Sequence, residues 1–464
     1  MSGERPINAD VPAPGKPGEI PVTAASDKTA KPVPGPQPKP PAAKPEPKPP
    51  KPRRRRKPVP GALKLILATV LLAIAFIVVA VLGGSGGSES ASTSAGPAPA
   101  LPAPSGKSGQ APATQTAEQL GYPAFATNNT TRVGGSDPAA NAAGVALAVY
   151  PSTTPAQQPA AVTLVGENDW AGAIAASALM AAPIRAPILI SGSDGLPDPT
   201  AEALDALDPQ GDSSTAGAGA FAIGDVATPD GAKVTHIKGG EAAATGAAVA
   251  KLRDRLFSSA PQAVIVAPAD RPEFAMPAAA WAARSGDPVL YANGSRLPKP
   301  TQAALRRHTG VPAYVLGPSS AISSAVVREI AKVVHSVHRV SGEDPVANAV
   351  AFARYVNGGF GWNVNDPGHG FVLARSDSPI DAAVAAPLSA SGTWGPLLLT
   401  DSAATLPKAL REYFLDVKPG YTTNPTRAFY NHVWVIGDQE AIDVNQQAEV
   451  NELAELAKIG GGEP

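Results

Sequence analysis

The sequence of 464 residues contains no cysteine. That excludes disulfides, thiolate zinc sites, iron–sulfur clusters and cysteine nucleophiles, and it leaves the compartment open. Histidine is scarce, six in all. The closest pair, His335 and His338, has no third ligand nearby in sequence, so no metal site is expected. Charged residues make up only 17%, with a net charge of -1. No Gly-x-Ser-x-Gly elbow, Gly-Lys-[Ser/Thr] phosphate loop or His-Glu-x-x-His pair occurs. No catalytic set, no cofactor and no enzymatic activity are therefore expected.

What is present is unevenly spread. Residues 1–60 carry 13 basic and 5 acidic side chains and 18 of the 52 prolines. This stretch has no apolar periodicity from which a core could form, so it is expected to be a disordered Pro/Lys/Arg-rich arm. It ends in Arg53-Arg54-Arg55-Arg56-Lys57. The 400 residues after Lys64 hold 24 basic and 34 acidic side chains, a net of −10. A nucleic-acid partner is not expected there.

Leu65 to Leu82 is an 18-residue run that is apolar except for Thr69. At about 1.5 Å per residue it would span roughly 27 Å, close to a hydrocarbon core of about 30 Å. Residues 61–83 are thus expected to be a single transmembrane helix. With the basic cluster in front, the N-terminus would be cytoplasmic and the rest extracytoplasmic. The basic arm would then lie near anionic lipid. A cleaved signal peptide is the rival, but the preceding segment and the apolar run are both long for one. Residues 84–121, rich in Gly, Ser, Pro and Ala, read as a flexible spacer.

The remainder repeats itself. A turn and an Ala-rich stretch recur around Gly135, Gly240 and Gly342. In two copies the turn opens with arginine, as Arg132 to Asp137 and Arg339 to Asp344. A short apolar run behind a proline recurs at Pro187, Pro288 and Pro396, and each is followed by Leu-Pro. A strand ending in Gly224, Gly317 or Gly437 recurs as well. Three repeats follow, at 122–235, 236–337 and 338–460. Short continuous apolar runs alternate with Ala-rich helical stretches. That pattern predicts parallel strands buried on both faces and βαβ units. Each repeat is expected to be a small open-sheet α/β sandwich.

The segment Val372-Leu373-Ala374-Arg375-Ser376-Asp377-Ser378-Pro379-Ile380-Asp381-Ala382-Ala383, continuing to Pro396-Leu397-Leu398-Leu399 and Leu406-Pro407, resembles the bacterial cell-wall-binding type 2 repeat family. The openings Arg132 to Asp137 and Arg339 to Asp344 are similar to the family's Arg-x-x-Gly-x-Asp turn. The resemblance implies three tandem α/β repeats, flavodoxin- or Toprim-like. They would pack with pseudo-threefold symmetry, with the Pro-Ile-Leu-Leu strands near the centre. It also implies non-catalytic binding of a cell-wall glycopolymer. The alternative is an exported structural or assembly protein whose repeats bind another envelope protein.

Binding a polyanion with a net-acidic domain requires local basic groups or a bridging cation. Candidates are Arg271, Arg284, Arg296, Arg306, Arg307, Arg375 and Arg411. The loop from Gly358 to Gly370 adds Trp362 as an aromatic plate for a sugar and His369 beside Asp366. Arg271, Arg375, Asp381, Trp362 and His369 are the candidate ligand-binding residues. Asp137 and Asp344 are expected to cap helices before Pro138 and Pro345. Glu273 and Asp381 stand at helix starts, where a cap is the default role. Gly134-Gly135 before a helix could seat an anion or simply form a tight turn.

Overall fold

A computed structural model describes residues 128–391 and 394–459. The expected arm, transmembrane helix and spacer lie outside the described residues. Among the described residues no helix is long and apolar enough to cross a membrane.

The first segment runs β1 (Thr130–Val133), α1 (Pro138–Val149), β2 (Val162–Val165), α2 (Trp170–Ala176) with a 3₁₀ turn (Ser177–Met180), β3 (Ile188–Ile190), α3 (Asp198–Leu207) and β4 (Ala220–Ile223). The second runs β5 (Val234–Ile237), α4 (Ala242–Leu256), β6 (Val264–Pro268), α5 (Pro272–Ala275), α6 (Pro277–Ser285), β7 (Val289–Ala292), α7 (Lys299–Leu305), β8 (Ala313–Leu316) and α8 (Ser324–Ala331). The third runs β9 (Val337–Val340), α9 (Pro345–Arg354), β10 (Gly370–Arg375), α10 (Pro379–Val384), α11 (Ala386–Ala390), β11 (Leu397–Thr400), α12 (Lys408–Asp416), β12 (Gly420–Tyr421), β13 (His432–Ile436), α13 (Val444–Ala454) and β14 (Ala457–Lys458).

The apolar runs form three parallel four-stranded sheets, ordered β3-β2-β4-β5, β7-β6-β8-β9 and β11-β10-β13-β1. A two-stranded pair, β12 with β14, stands apart from them. Sequence repeat and sheet are out of phase by one strand. β5 and β9 open their own repeats but pair with the last strand of the repeat before. β1 closes the cycle by pairing with β13, Thr130 opposite Val433 through Val133 opposite Ile436.

The recurring prolines each start an end strand. The carbonyls of Pro187, Pro288 and Pro396 accept from Thr163, Ile265 and Val372 N–H at 2.7, 3.0 and 3.1 Å. A proline there sacrifices no ladder bond, because it stands at the edge and only its carbonyl is used.

β3, β7 and β11, the Pro-Ile-Leu-Leu strands, are the end strands of their sheets and are covered by α1, α4 and α9. Each also touches a helix of another segment, β3 with α10, β7 with α2 and β11 with α6. The middle is helical: α6 and α11 pack on each other and on the Ser177–Met180 turn. The reason is side-chain size. Ala279, Ala282, Ala175, Ala178 and Ala386 are all buried, and small side chains let helix backbones approach closely. The contacts run in a cycle, α4 on α2, α9 on α5 and α1 on α10.

One apolar core continues through all three segments. A second covers the other face of the middle sheet. β6 divides between them by its pleat, with Ile265 and Ala267 in the first and Val264 and Val266 in the second.

The motif arginines are clasps, Arg132 buried and Arg339 half-buried. Arg132 is 1% exposed. Its Nη1 donates to the carbonyls of Gly437 and Asp438 at 2.9 and 2.6 Å, and its Nη2 to that of Ile442 at 2.5 Å. Nε and Nη2 share the Gln447 side-chain oxygen at 3.1 and 2.8 Å. Arg339 repeats this on β9, with Gly317 and Ile322 carbonyls at 2.5 and 2.6 Å. On β5 the same register position holds His236, opposite Ala222. There the chain passes from β4 to β5 without a helix, whereas α8 follows β8 and α13 follows β13.

Candidate functional site

That missing helix leaves the end of the first sheet open. A cavity of about 990 Å³ lies at the carboxyl ends of β2, β3, β4 and β5. The chain leaves β2 for β3 on one side, then crosses to β4 on the other. The cavity therefore sits at the topological switch point, where open parallel sheets present their loops to ligands. After β2 come Glu167, Asn168 and Asp169, after β3 Ser191 and Ser193, after β4 Asp225, and after β5 Lys238 and two glycines. Glu167, Asn168, Asp225 and Lys238 are exposed.

The rim is held by local bonds. Asp169 caps α2, accepting from Gly172 N–H at 2.8 Å. Burial pushes the Asp169 carboxyl above its ordinary value, and the Gly172 N–H opposes that. A Cβ at Gly172 would stand 2.2 Å from the Asp169 carboxylate, so only glycine fits under the cap. Ser191 Oγ donates to the Ala227 carbonyl at 2.7 Å, tying the β3 loop to the segment after β4. The crevice thus offers two exposed carboxylates, an amine, an amide and a hydroxyl. That mixture suits the hydroxyls of a polyol.

The five candidate ligand residues do not converge. Arg271 follows β6, pairs with Glu273 at 2.6 Å and lies 5.0 Å from the Phe274 ring centre. Arg375 ends β10 and pairs with Asp377 at 2.6 Å. These two stand at the carboxyl ends of different sheets, each charge answered by its own neighbour. Asp381 is buried inside α10 rather than capping it. Its oxygens accept from Ser378 Oγ at 2.6 Å and from Asn141 Nδ2 at 2.9 Å. Glu273 likewise caps nothing, since α5 starts without a side-chain cap.

Trp362 and His369 lie before β10, at its opposite end from Arg375. Trp362 is 6% exposed and meets Trp281 edge to face at 5.4 Å, so it is core and not a sugar plate. His369 Nε2 is 3.2 Å from the Asp366 carboxylate. Of the other arginines, Arg307 pairs with Asp254 and Arg411 with Glu449.

The turn residues do structural duty. Asp137 and Asp344 cap α1 and α9, accepting from Ala140 and Ala347 N–H at 2.9 and 2.7 Å. The Gly135 N–H donates to Asn141 Oδ1 at 2.8 Å, so that amide is taken and seats no anion. Gly134 has φ +125, and a Cβ on it would stand 2.1 Å from Asn141 Oδ1. Gly342 donates to Asn348 Oδ1 at 3.3 Å, and the Gly240 carbonyl accepts from Thr245 Oγ1 at 3.4 Å. The crevice residues after β2 and β5 escape motif reasoning, because what marks them is the loss of a motif. His236 in place of arginine, and Pro229 and Gly231 where a helix would run, are the available signals.

Residues 236–327 and 339–446 match the family described as cell wall binding domain 2 (CWB2). Comparison with curated proteins gives no match. Among solved structures, Cwp8 from Clostridium difficile superposes with a TM-score of 0.55 at 19% identity, over 71% of this chain and 52% of Cwp8. Cwp6 from Clostridium difficile gives 0.55 at 20% identity, over 70% of this chain and 47% of Cwp6. At these identities the likeness shows the fold alone. The chain spans about half the length of these two proteins.

Proposed function

We propose, on the match of residues 236–327 and 339–446 to cell wall binding domain 2, that this chain is a non-catalytic, extracytoplasmic protein that binds a cell-wall glycopolymer. The observation that carries the choice of site is the crevice of about 990 Å³ at the switch point of the first sheet. Its exposed Asn168, Lys238 and carboxylates can exchange hydrogen bonds with water for hydrogen bonds with sugar hydroxyls. No serine there is poised as a nucleophile, since Ser191 Oγ is committed to the Ala227 carbonyl and Ser193 Oγ to Asp194. The cyclic helix contacts support a pseudo-threefold assembly of the repeats. The apolar run Leu65–Leu82 behind a basic cluster supports single-pass tethering, with the arm near anionic lipid.

The test is cosedimentation of the full chain with purified cell walls, intact and acid-stripped of secondary polymers. Binding to intact walls that is lost on stripping is the expected result. The double variant Asn168→Ala/Lys238→Ala removes two ligand hydrogen bonds of about 0.5–1.5 kcal/mol each and should weaken binding about tenfold. No binding to intact walls would overturn the proposal. An envelope-protein partner is the second reading, favoured by the adjacent exposed aromatics Phe429 and Tyr430, 70% and 54% exposed.

A further inference from the structure

A second cavity, of about 690 Å³, opens where the three segments meet. Tyr150, Gln157 and Arg185 line it from the first segment, Arg284 from the second and Trp394 from the third. Its size lies within the roughly 300–1,000 Å³ usual for small-molecule sites. Its chemistry is unlike that of the crevice, because no carboxylate lines it.

Arg284 is the centre of the arrangement. Its guanidinium carbon stands 5.7, 5.1 and 5.2 Å from the ring centres of Trp281, Trp362 and Trp394. Trp281 and Trp362 are buried and hold the guanidinium from the core side, while Trp394 is 53% exposed. Such stacking fixes the plane of a guanidinium without using its N–H donors. Arg185 is exposed on a left-handed backbone, φ 56. Its carbonyl accepts from Tyr150 Oη at 2.9 Å, so the phenol anchors the turn that carries it.

Charge also marks the cavity. The candidate arginines Arg271, Arg375 and Arg411 are answered by Glu273, Asp377 and Glu449. Arg185 and Arg284 have no ion-pair partner among the described residues. Arg296, Arg306 and Lys238 are unpaired as well, but here two such cations line one cavity that no carboxylate lines, beside an exposed indole. A planar guanidinium fork matches a carboxylate or phosphate bidentately. The exposed indole face matches the flat C–H face of a pyranose ring.

We propose that this central cleft binds a sugar residue bearing a carboxylate or a phosphate, with Arg284 and Arg185 taking the anion and Trp394 the ring. This goes beyond the crevice site and relies on the wall-binding proposal only for the ligand's natural source. The test titrates the full chain with glucuronate, with glucose 6-phosphate and with glucose, following tryptophan fluorescence and calorimetry. Saturable binding of at least one acidic sugar, tenfold or more tighter than glucose, is expected. The stronger of the two arms identifies the anion. Trp394→Ala should abolish the fluorescence response, and Arg284→Gln or Arg185→Asn should weaken acidic-sugar affinity at least tenfold, with melting temperatures unchanged. Equal affinity for glucose, or wild-type affinity in both arginine variants, would overturn the proposal. Wall cosedimentation of the same variants separates the two claims. Walls bound without any acidic-sugar binding would sink only the cleft, and acidic-sugar binding without wall binding would sink only the wall proposal.

Discussion

Arg132 shows how a charged residue can serve as mortar. Burial pulls its guanidinium below the ordinary value, and Asp438 and Asp443 oppose that. Four acceptors surround it, and Arg132→Met would leave three carbonyls and an amide oxygen without their donor. Breaking a buried charge network costs about 3–5 kcal/mol. Arg339→Met, with two carbonyls and partial exposure, should cost less, about 1–3 kcal/mol. Urea unfolding of both variants checks the order, and equal losses would count against the clasp. Asp381 makes a pH prediction. Burial holds its carboxyl above the ordinary value, against hydrogen bonds from Ser378 and Asn141 and with added push from Asp377 and Asp137. The folded chain therefore holds this proton more tightly than the unfolded one. Its contribution to stability is greatest below the unfolded value of about 3.9 and falls as pH rises toward the folded value. Asparagine can accept from Asn141 and donate to Ser378. Asp381→Asn should thus gain stability relative to wild type as pH rises above about 4, and an unchanged pH slope would refute this. At this scale the sequence was legible where a role is local. Asp137 and Asp344 cap as their spacing before proline suggests. Trp362 was not legible, because its place under Arg284 depends on Trp281, which lies in another repeat.

Elements were readable to the extent that their partners are local. The apolar runs after Pro187, Pro288 and Pro396 are strands because every residue in them is buried on both faces of a sheet. Which sheet an opening strand joins was not readable. β5 and β9 carry the same local pattern whether they pair forward or backward, and only packing across the repeat boundary decides. The same holds for the centre. An Ala-rich helix is equally helical on a surface or at an axis, yet here the alanines are what lets α6, α11 and the Ser177–Met180 turn meet. Ala282 is fully buried on α6. Ala282→Leu would force extra carbons into a filled space at about 1–3 kcal/mol. Ala148→Leu, exposed on α1, should stay within about 0.5 kcal/mol. Melting of the two variants compares them directly. A harmless Ala282→Leu would mean the centre is loosely packed.

Residues 128–459 form a cycle closed by β1. β1 pairs with β13, and Arg132 reaches a carbonyl 310 residues further along the chain at Ile442. One continuous core joins Val162, Ile265 and Leu373 of the three central strands. A chain of independent repeats would confine the effect of a broken closure to the last sheet. A closed cycle with a shared core spreads it, because opening β1 from β13 also frees α1 from α10 and unseats the Asn141–Asp381 bond at 2.9 Å. Hydrogen exchange separates the two behaviours. In Arg132→Met, amides of β2, β6 and β10 should lose protection together and by similar factors. Loss limited to β10 and β13 would show that the repeats open one at a time and that closure is only a local clasp. Joint loss would mean that the central cleft, built from all three segments, persists only while the cycle is closed. Acidic-sugar affinity in that variant should then fall with the fraction of closed molecules.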